Sequence, residues 1–161
     1  MDTLKLSELI GQEIIELRFH YVPENEYGLQ SFHSYIKLST DTIIDIPNFD
    51  DNEYLQLTQD NLEYFKKMFN TGELVNDKVK TYLVGQKIID FYFSYYNEEI
   101  DFDHSAFIKL SNGYYLTENN FGPVGLTNID LIILDEEHFL KEVKRLNDIK
   151  VDVRPFQKNA S

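Results

Sequence analysis

Apolar and polar residues alternate, at least in part, along Glu13 to Val22 (EIIELRFHYV) and again along Lys87 to Tyr96 (KIIDFYFSYY). Both runs are rich in β-branched and aromatic residues and follow a glycine, Gly11 or Gly85, that can end the preceding segment, so each predicts a strand. SFHSYIKLSTDTIIDIP from Ser31 and SAFIKLSNGYYLTE from Ser105 each hold two strand-like runs around a turn, at Thr40-Asp41 and at Asn112-Gly113. Asn-Gly supplies the positive φ angles that a tight hairpin turn demands.

The spacing becomes helical after Thr58 and Asp135. Either side chain can accept from a free amide of the first turn, as an N-cap does. Leu57 and Leu62, and likewise Leu134 and Phe139, are spaced as a hydrophobic staple. Leu62, Phe65 and Phe69 form the apolar stripe of the first helix, and Phe139, Val143 and Leu146 that of the second. Thr3 to Ile10 reads as helix-like, as does its counterpart around Val79 to Val84. TGELVNDKVK, Thr71 to Lys80, reads as a linker.

These elements repeat. LIGQEIIELRF at Leu9 and LVGQKIIDFYF at Leu83 correspond at an offset of 74; SYIKLSTDTII and AFIKLSNGYYL at 72; LQLTQDNLEYFKKMF and IILDEEHFLKEVKRL at 77. The drift is what loop insertions would produce, and with only two copies a solenoid is excluded. The expectation is an α+β protein of two tandem ββββα-like repeats, residues 1–75 and 76–161, sharing one core. Antiparallel sheet with the helices packed on one face is the expected layering.

Length and composition fit that picture. A chain of 161 residues with 42% hydrophobic residues can bury about two-thirds of its unfolded surface and needs no external staple. Its 12 Phe and 11 Tyr predict a core rich in flat rings. There is no cysteine, which removes disulfides, thiolate metal sites and a cysteine nucleophile together. MDTLKLSELIGQEI lacks the basic and apolar regions of a signal peptide, and no apolar run is long enough to cross a bilayer. A cytoplasmic protein is the expectation, so the sequon at Asn159 to Ser161 is read as chance.

Charge is the strongest compositional signal. The formal net charge is −13, yet Asp135 to Ser161 holds six acids and six bases, so the excess lies upstream. Between Phe19 and Phe65 the only base is Lys37 against nine acids, and Ile88 to Ile108 has five acids and no base. A field of this sign repels nucleic-acid phosphates and anionic lipid and steers basic partners inward.

Chemistry-bearing motifs are absent. His20, His33, His104 and His138 lack the spacing of a zinc helix, and there is no Gly-rich phosphate loop, nucleophile elbow or dinucleotide fingerprint. NFDDNEY and EEIDFDH offer oxygen ligands but neither the spacing nor the turn glycine of a calcium loop, so they read as solvated acidic loops, and no cofactor, metal or catalytic residue is expected. What remains is binding. VPENEYGLQ after the first strand and YNEEIDFDH after its counterpart combine rings, which supply contact area, with carboxylates, which steer. The candidate partner-binding residues are Glu24, Glu26, Asp50, Asp51, Glu53, Glu98, Glu99, Asp101 and Asp103.

The GQ-x-I opening strand, the FIKLSNG hairpin at Phe107 to Gly113 and LTNIDLIIL at Leu126 to Leu134, in a small acidic chain without cysteine, resemble immunity proteins of polymorphic-toxin or contact-dependent inhibition systems. The resemblance implies a bacterial inhibitor that covers a cognate toxin, commonly a nuclease, with acidic side chains. A duplicated interaction or scaffold module, with oligomerisation through sheet edges or aromatics, is the other reading. An enzyme would need a metal held between Glu98 and His104.

Overall fold

The alternation of apolar and polar residues is realised as strands. The computed structural model describes residues 3–22, 31–45, 56–74, 77–100, 106–121 and 128–156. In chain order these form β1 (Thr3–Lys5), a 3₁₀ turn (Leu6–Leu9), β2 (Ile14–Val22), β3 (Ser31–Leu38), β4 (Ile43–Asp45), β5 (Gln56–Thr58), α1 (Gln59–Asn70), β6 (Glu73–Leu74), α2 (Asp77–Leu83), β7 (Ile88–Tyr96), β8 (Glu99–Ile100), β9 (Phe107–Leu110), β10 (Tyr115–Phe121), β11 (Asn128–Leu134), α3 (Glu136–Asn147) and β12 (Asp152–Pro155). The class is α+β. One sheet has the order β4-β3-β2-β6, another β11-β10-β9-β7-β12 with β8 also on β7, and β1 pairs with β5. All these pairings are antiparallel. No described helix is long and apolar enough to cross a membrane.

The twice-written GQ phrase forms the junction between the two larger sheets. Gly11 N donates to Ile88 O (2.7 Å) and Ile88 N to Gln12 O (2.9 Å), while Gly85 N donates to Ile14 O (2.8 Å) and Ile14 N to Gln86 O (2.8 Å). Glu13 and Lys87 face each other across this seam as an antiparallel pair. Ser39 and Ser111 each close the far side of their own hairpin: their amides donate to Glu13 O and Lys87 O, both at 2.9 Å, and their hydroxyls accept from the Glu13 and Lys87 amides. Gly11 and Gly85 have φ of 91° and 88°, and a Cβ built on either would meet nothing within 4 Å. Glycine is required there by backbone conformation, not by crowding.

Just past the seam both strand pairings skip a residue, between Ile14 and Glu16 and between Ile88 and Asp90. Such a bulge adds one residue to one strand and bends it. The extra residues, Ile15 and Ile89, are each 44% exposed.

Side-chain alternation sets the layers. Tyr35 packs its ring near Phe65 of α1, and Arg18, its Cα partner on β2, lies over the Phe69 ring at 4.8 Å, so this face of the first sheet carries α1. Leu17 and Ile36 therefore point the other way, into a core shared with Phe91, Phe93, Ile108 and Leu116 of the second sheet. Tyr92, Phe107 and Tyr115 occupy the opposite face of the second sheet, under Phe139 of α3. Each sheet thus carries its long helix on one face and meets the other sheet through its second face. The apolar stripes of both helices are as expected from their spacing, with Phe65, Phe69, Phe139 and Leu146 buried. Asp135 caps α3 by accepting from His138 N at 2.8 Å, and Leu134 packs in the Phe139 cluster.

Three sequence expectations are corrected. Thr3 to Ile10 is helical only at Leu6–Leu9; Thr3–Lys5 is extended and pairs with β5, Thr3 opposite Thr58. The expected linker Thr71 to Lys80 contains β6 and the start of α2, because after Gly72 the chain returns to the free edge of β2, Glu73 opposite Phe19. At Asn112-Gly113 only Gly113 has positive φ (91°): Leu110 O accepts from Gly113 N and Leu110 N donates to Tyr114 O, a three-residue loop and not a two-residue turn. Asp41 (φ 66°) does the same work after Leu38.

Replacing Gly11 or Gly85 by alanine should cost about 1–2 kcal/mol each, from the left-handed backbone alone. Asparagine, which tolerates that region, should cost less, and urea denaturation of the four variants checks the ranking. Under α3, Tyr115 stacks on Phe139 at 3.7 Å and donates its hydroxyl to Glu136 Oε2 at 2.8 Å. Burial, and then that hydrogen bond, raise the Tyr115 pKa above the ordinary 10.0. The folded protein keeps a proton that the unfolded chain loses, so this contribution is fully present below pH 10 and declines as pH rises. Between pH 10 and 11 the stability of the native protein should fall more steeply than that of Tyr115→Phe, by up to about 1.4 kcal/mol per pH unit, measured by denaturation at each pH.

Candidate functional site

The acidic phrase after the seventh strand is a tight hairpin over its first residues. Tyr96 pairs with Glu99 and Tyr95 with Ile100, leaving Asn97 and Glu98 as the two loop residues with φ of 51° and 67°. Two left-handed residues in succession match the twist of the flanking strands. Asn tolerates that conformation readily, whereas Glu adopts it at a cost of about 1–2 kcal/mol.

An ion pair holds Glu98 in place. Arg154 of β12 donates from Nη1 to Glu98 Oε2 and from Nη2 to Oε1, both at 2.9 Å, in the two-bond geometry that a planar guanidinium offers a carboxylate. The register of β12 on β7, Arg154 opposite Phe93 and Asp152 opposite Tyr95, delivers the guanidinium there, 4.9 Å from the Tyr95 ring centroid. Asp152 Oδ2 accepts from the same Nη2 at 3.2 Å. Hydrogen bonding to Arg154, then its charge, holds the Glu98 carboxyl below its usual pKa, and Glu98 and Asp152 in turn raise that of Arg154. Because Glu98 is fully exposed, water screens this pair heavily.

Of the nine candidate partner-binding residues, the structure brings Glu98 and Glu99 together at this tip, both exposed. Glu24, Glu26, Asp50, Asp51, Glu53, Asp101 and Asp103 lie outside the described residues, as does His104. Glu98 is therefore not a free carboxylate awaiting a cation, while Glu99 presents its charge at the paired position. Among the described residues no group of three or more His, Asp or Glu side chains is arranged to hold a metal ion. His138 is exposed and bonded through Nδ1 to Asp135 at 2.7 Å.

Arg154 escaped the sequence reading, which saw only balanced charge after Asp135. The available signal was the alternation in DVRP, Asp152 to Pro155, a short strand with both charges on one side. A scan against protein-family models, a search of curated proteins and a search of solved structures each found no match.

Arg154→Ala should return the Glu98 carboxyl upward toward the ordinary range, read directly by an NMR pH titration. The sign follows from a depressed folded-state pKa: the pair stabilises the hairpin above the ordinary glutamate range and is lost as pH falls through the folded value. The acid-side melting profile of the variant should therefore depend less on pH in that window.

Proposed function

We propose that the protein is a non-catalytic acidic binding protein, an immunity protein that binds and neutralises a cognate bacterial toxin in the cytoplasm. Its charge asymmetry carries this reading: the net charge is −13, with the excess upstream of α3. A basic toxin domain, such as one that acts on nucleic acid, meets that field favourably, whereas nucleic acid itself and anionic membrane are repelled. The ordered hairpin supports the reading, because a contact presented on paired strands loses little conformational entropy on binding. Glu24, Glu26, Asp50, Asp51, Glu53, Glu99, Asp101 and Asp103 supply the steering field, and Glu98 contributes chiefly by fixing the loop.

The chain is, in the same proposal, two copies of one ββββα-like unit. The reciprocal hydrogen bonds of Gly11–Ile14 and Gly85–Ile88, the matched bulges and the matched hairpin loops support it. An interaction or scaffold module of a bacterial assembly is favoured by one observation, the exposed Ile15, Val84 and Ile89 beside the seam.

The test pairs the protein with the basic domain that co-purifies from its native cell. Association should slow steeply with added salt, since charge steering is screened within about 8 Å at physiological ionic strength. Converting Glu99, Asp101 and Asp103 to their amides, with Glu98 kept to hold the loop, should lower the on-rate and leave the melting temperature nearly unchanged. An on-rate indifferent to both changes removes the role given to this loop, and salt-independent self-association would favour the scaffold reading.

A further inference from the structure

We propose that Tyr96 and Glu99 form a clamp for an arginine side chain of a basic protein partner, on the face of the β7–β8 hairpin opposite to the one that holds Arg154. The clamp deepens the proposed function and rests on it, naming the side chain by which a basic domain is held once charge has steered it in.

The sequence YYNEE, Tyr95 to Glu99, writes one aromatic and carboxylate pair twice: Tyr95 with Glu98 and Tyr96 with Glu99. The first copy shows what such a pair does with a guanidinium. Arg154 lies 4.9 Å from the Tyr95 ring centroid and donates to both oxygens of Glu98 at 2.9 Å. The ring attracts its positive charge while the carboxylate accepts from its N–H groups.

The second copy is turned the other way. Successive side chains of a strand point to opposite faces, so Tyr96 lies on the reverse side from Tyr95. Glu99 is its Cα partner across the hairpin, which puts both on one face with their Cβ atoms about 5 Å apart. Tyr96 is 47% exposed, and Glu99 is exposed beside it. Among the described residues no cation lies over the Tyr96 ring or pairs with Glu99. Ile88 to Ile108 holds no base that could fold back onto them. A guanidinium suits this pair better than an ammonium, because a planar group can lie on the ring while its edge forks onto the carboxylate. Arg154 braces the hairpin from the other face, so the pair is in place before a partner arrives and little ordering opposes binding.

The test titrates the whole chain with N-acetylarginine methylamide and, separately, with its lysine counterpart, following the side-chain resonances of Tyr96 and Glu99. Saturable shifts are expected by about 50 mM, with the arginine compound binding about threefold more tightly. Tyr96→Leu and Glu99→Gln, both at exposed positions, should each remove that preference. No saturable shift in that range, equal binding of the two compounds, or a preference that survives either variant overturns the clamp. Because this titration needs no partner, its failure leaves the acidic binding protein standing, and the lack of a basic partner leaves the titration to decide. Against a basic domain that does co-purify, Tyr96→Leu should speed dissociation at least about fivefold and leave the on-rate and its salt dependence unchanged, since it removes a contact and no charge. Unchanged dissociation with an intact salt effect overturns the clamp alone.

Discussion

A small set of backbone hydrogen bonds, made by two copies of one phrase to each other, governs this fold. Gly11 to Ile14 and Gly85 to Ile88 each occupy the edge that the other would leave bare. An unmatched strand edge would leave orphan amides and carbonyls, and here neither half can satisfy that stretch without its counterpart. The seam orients both sheets, and the bulges immediately after it bend β2 and β7 so that Leu17 and Ile36 meet Phe91 and Ile108. Burial of such side chains, each contributing about 1.5–3 kcal/mol, offsets the self-repulsion of a strongly acidic chain. Glu13 and Lys87, opposite in sign as a cross-seam pair, add no repulsion at this junction.

The aromatic content serves two distinct layers. Phe91, Phe93 and Tyr95 alternate with Tyr92 along β7, so one strand feeds the core between the sheets and the cluster beneath α3. That double duty buries most of the side chains of β7 and makes it a firm base for what lies at its end. The Asn97–Glu98 turn continues from Tyr95 and Tyr96, and β12 braces it from the other edge with Arg154. A charged tip is thereby tied to the rigid interior, which is the link between the packing and the binding proposed for it.

Local signals were legible where one residue type dictates one conformation. Gly85 before KIIDFYF, Asp135 before EEHFLKEV and the paired aromatic stripes announced β7, α3 and the helix faces correctly. Elements that exist only through partners were not legible: β1, β6 and β12 are two to four residues long, and nothing in Glu73–Leu74 or Asp152–Pro155 says which edge will accept them. The same reason hid the site's main feature. A count of acids marks Glu98 and Glu99 alike, but register places Arg154, more than fifty residues away, on Glu98 and not on Glu99.

If the seam makes the two halves one cooperative unit, native-state hydrogen exchange tests it most directly. The amides of Ile14 and Ile88, each bonded across the junction, should exchange only through global unfolding, with equal opening free energies and equal sensitivity to denaturant. Exchange of these two amides at a lower free energy than those of the β7 core, or loss of one half's protection while the other persists, would contradict the account.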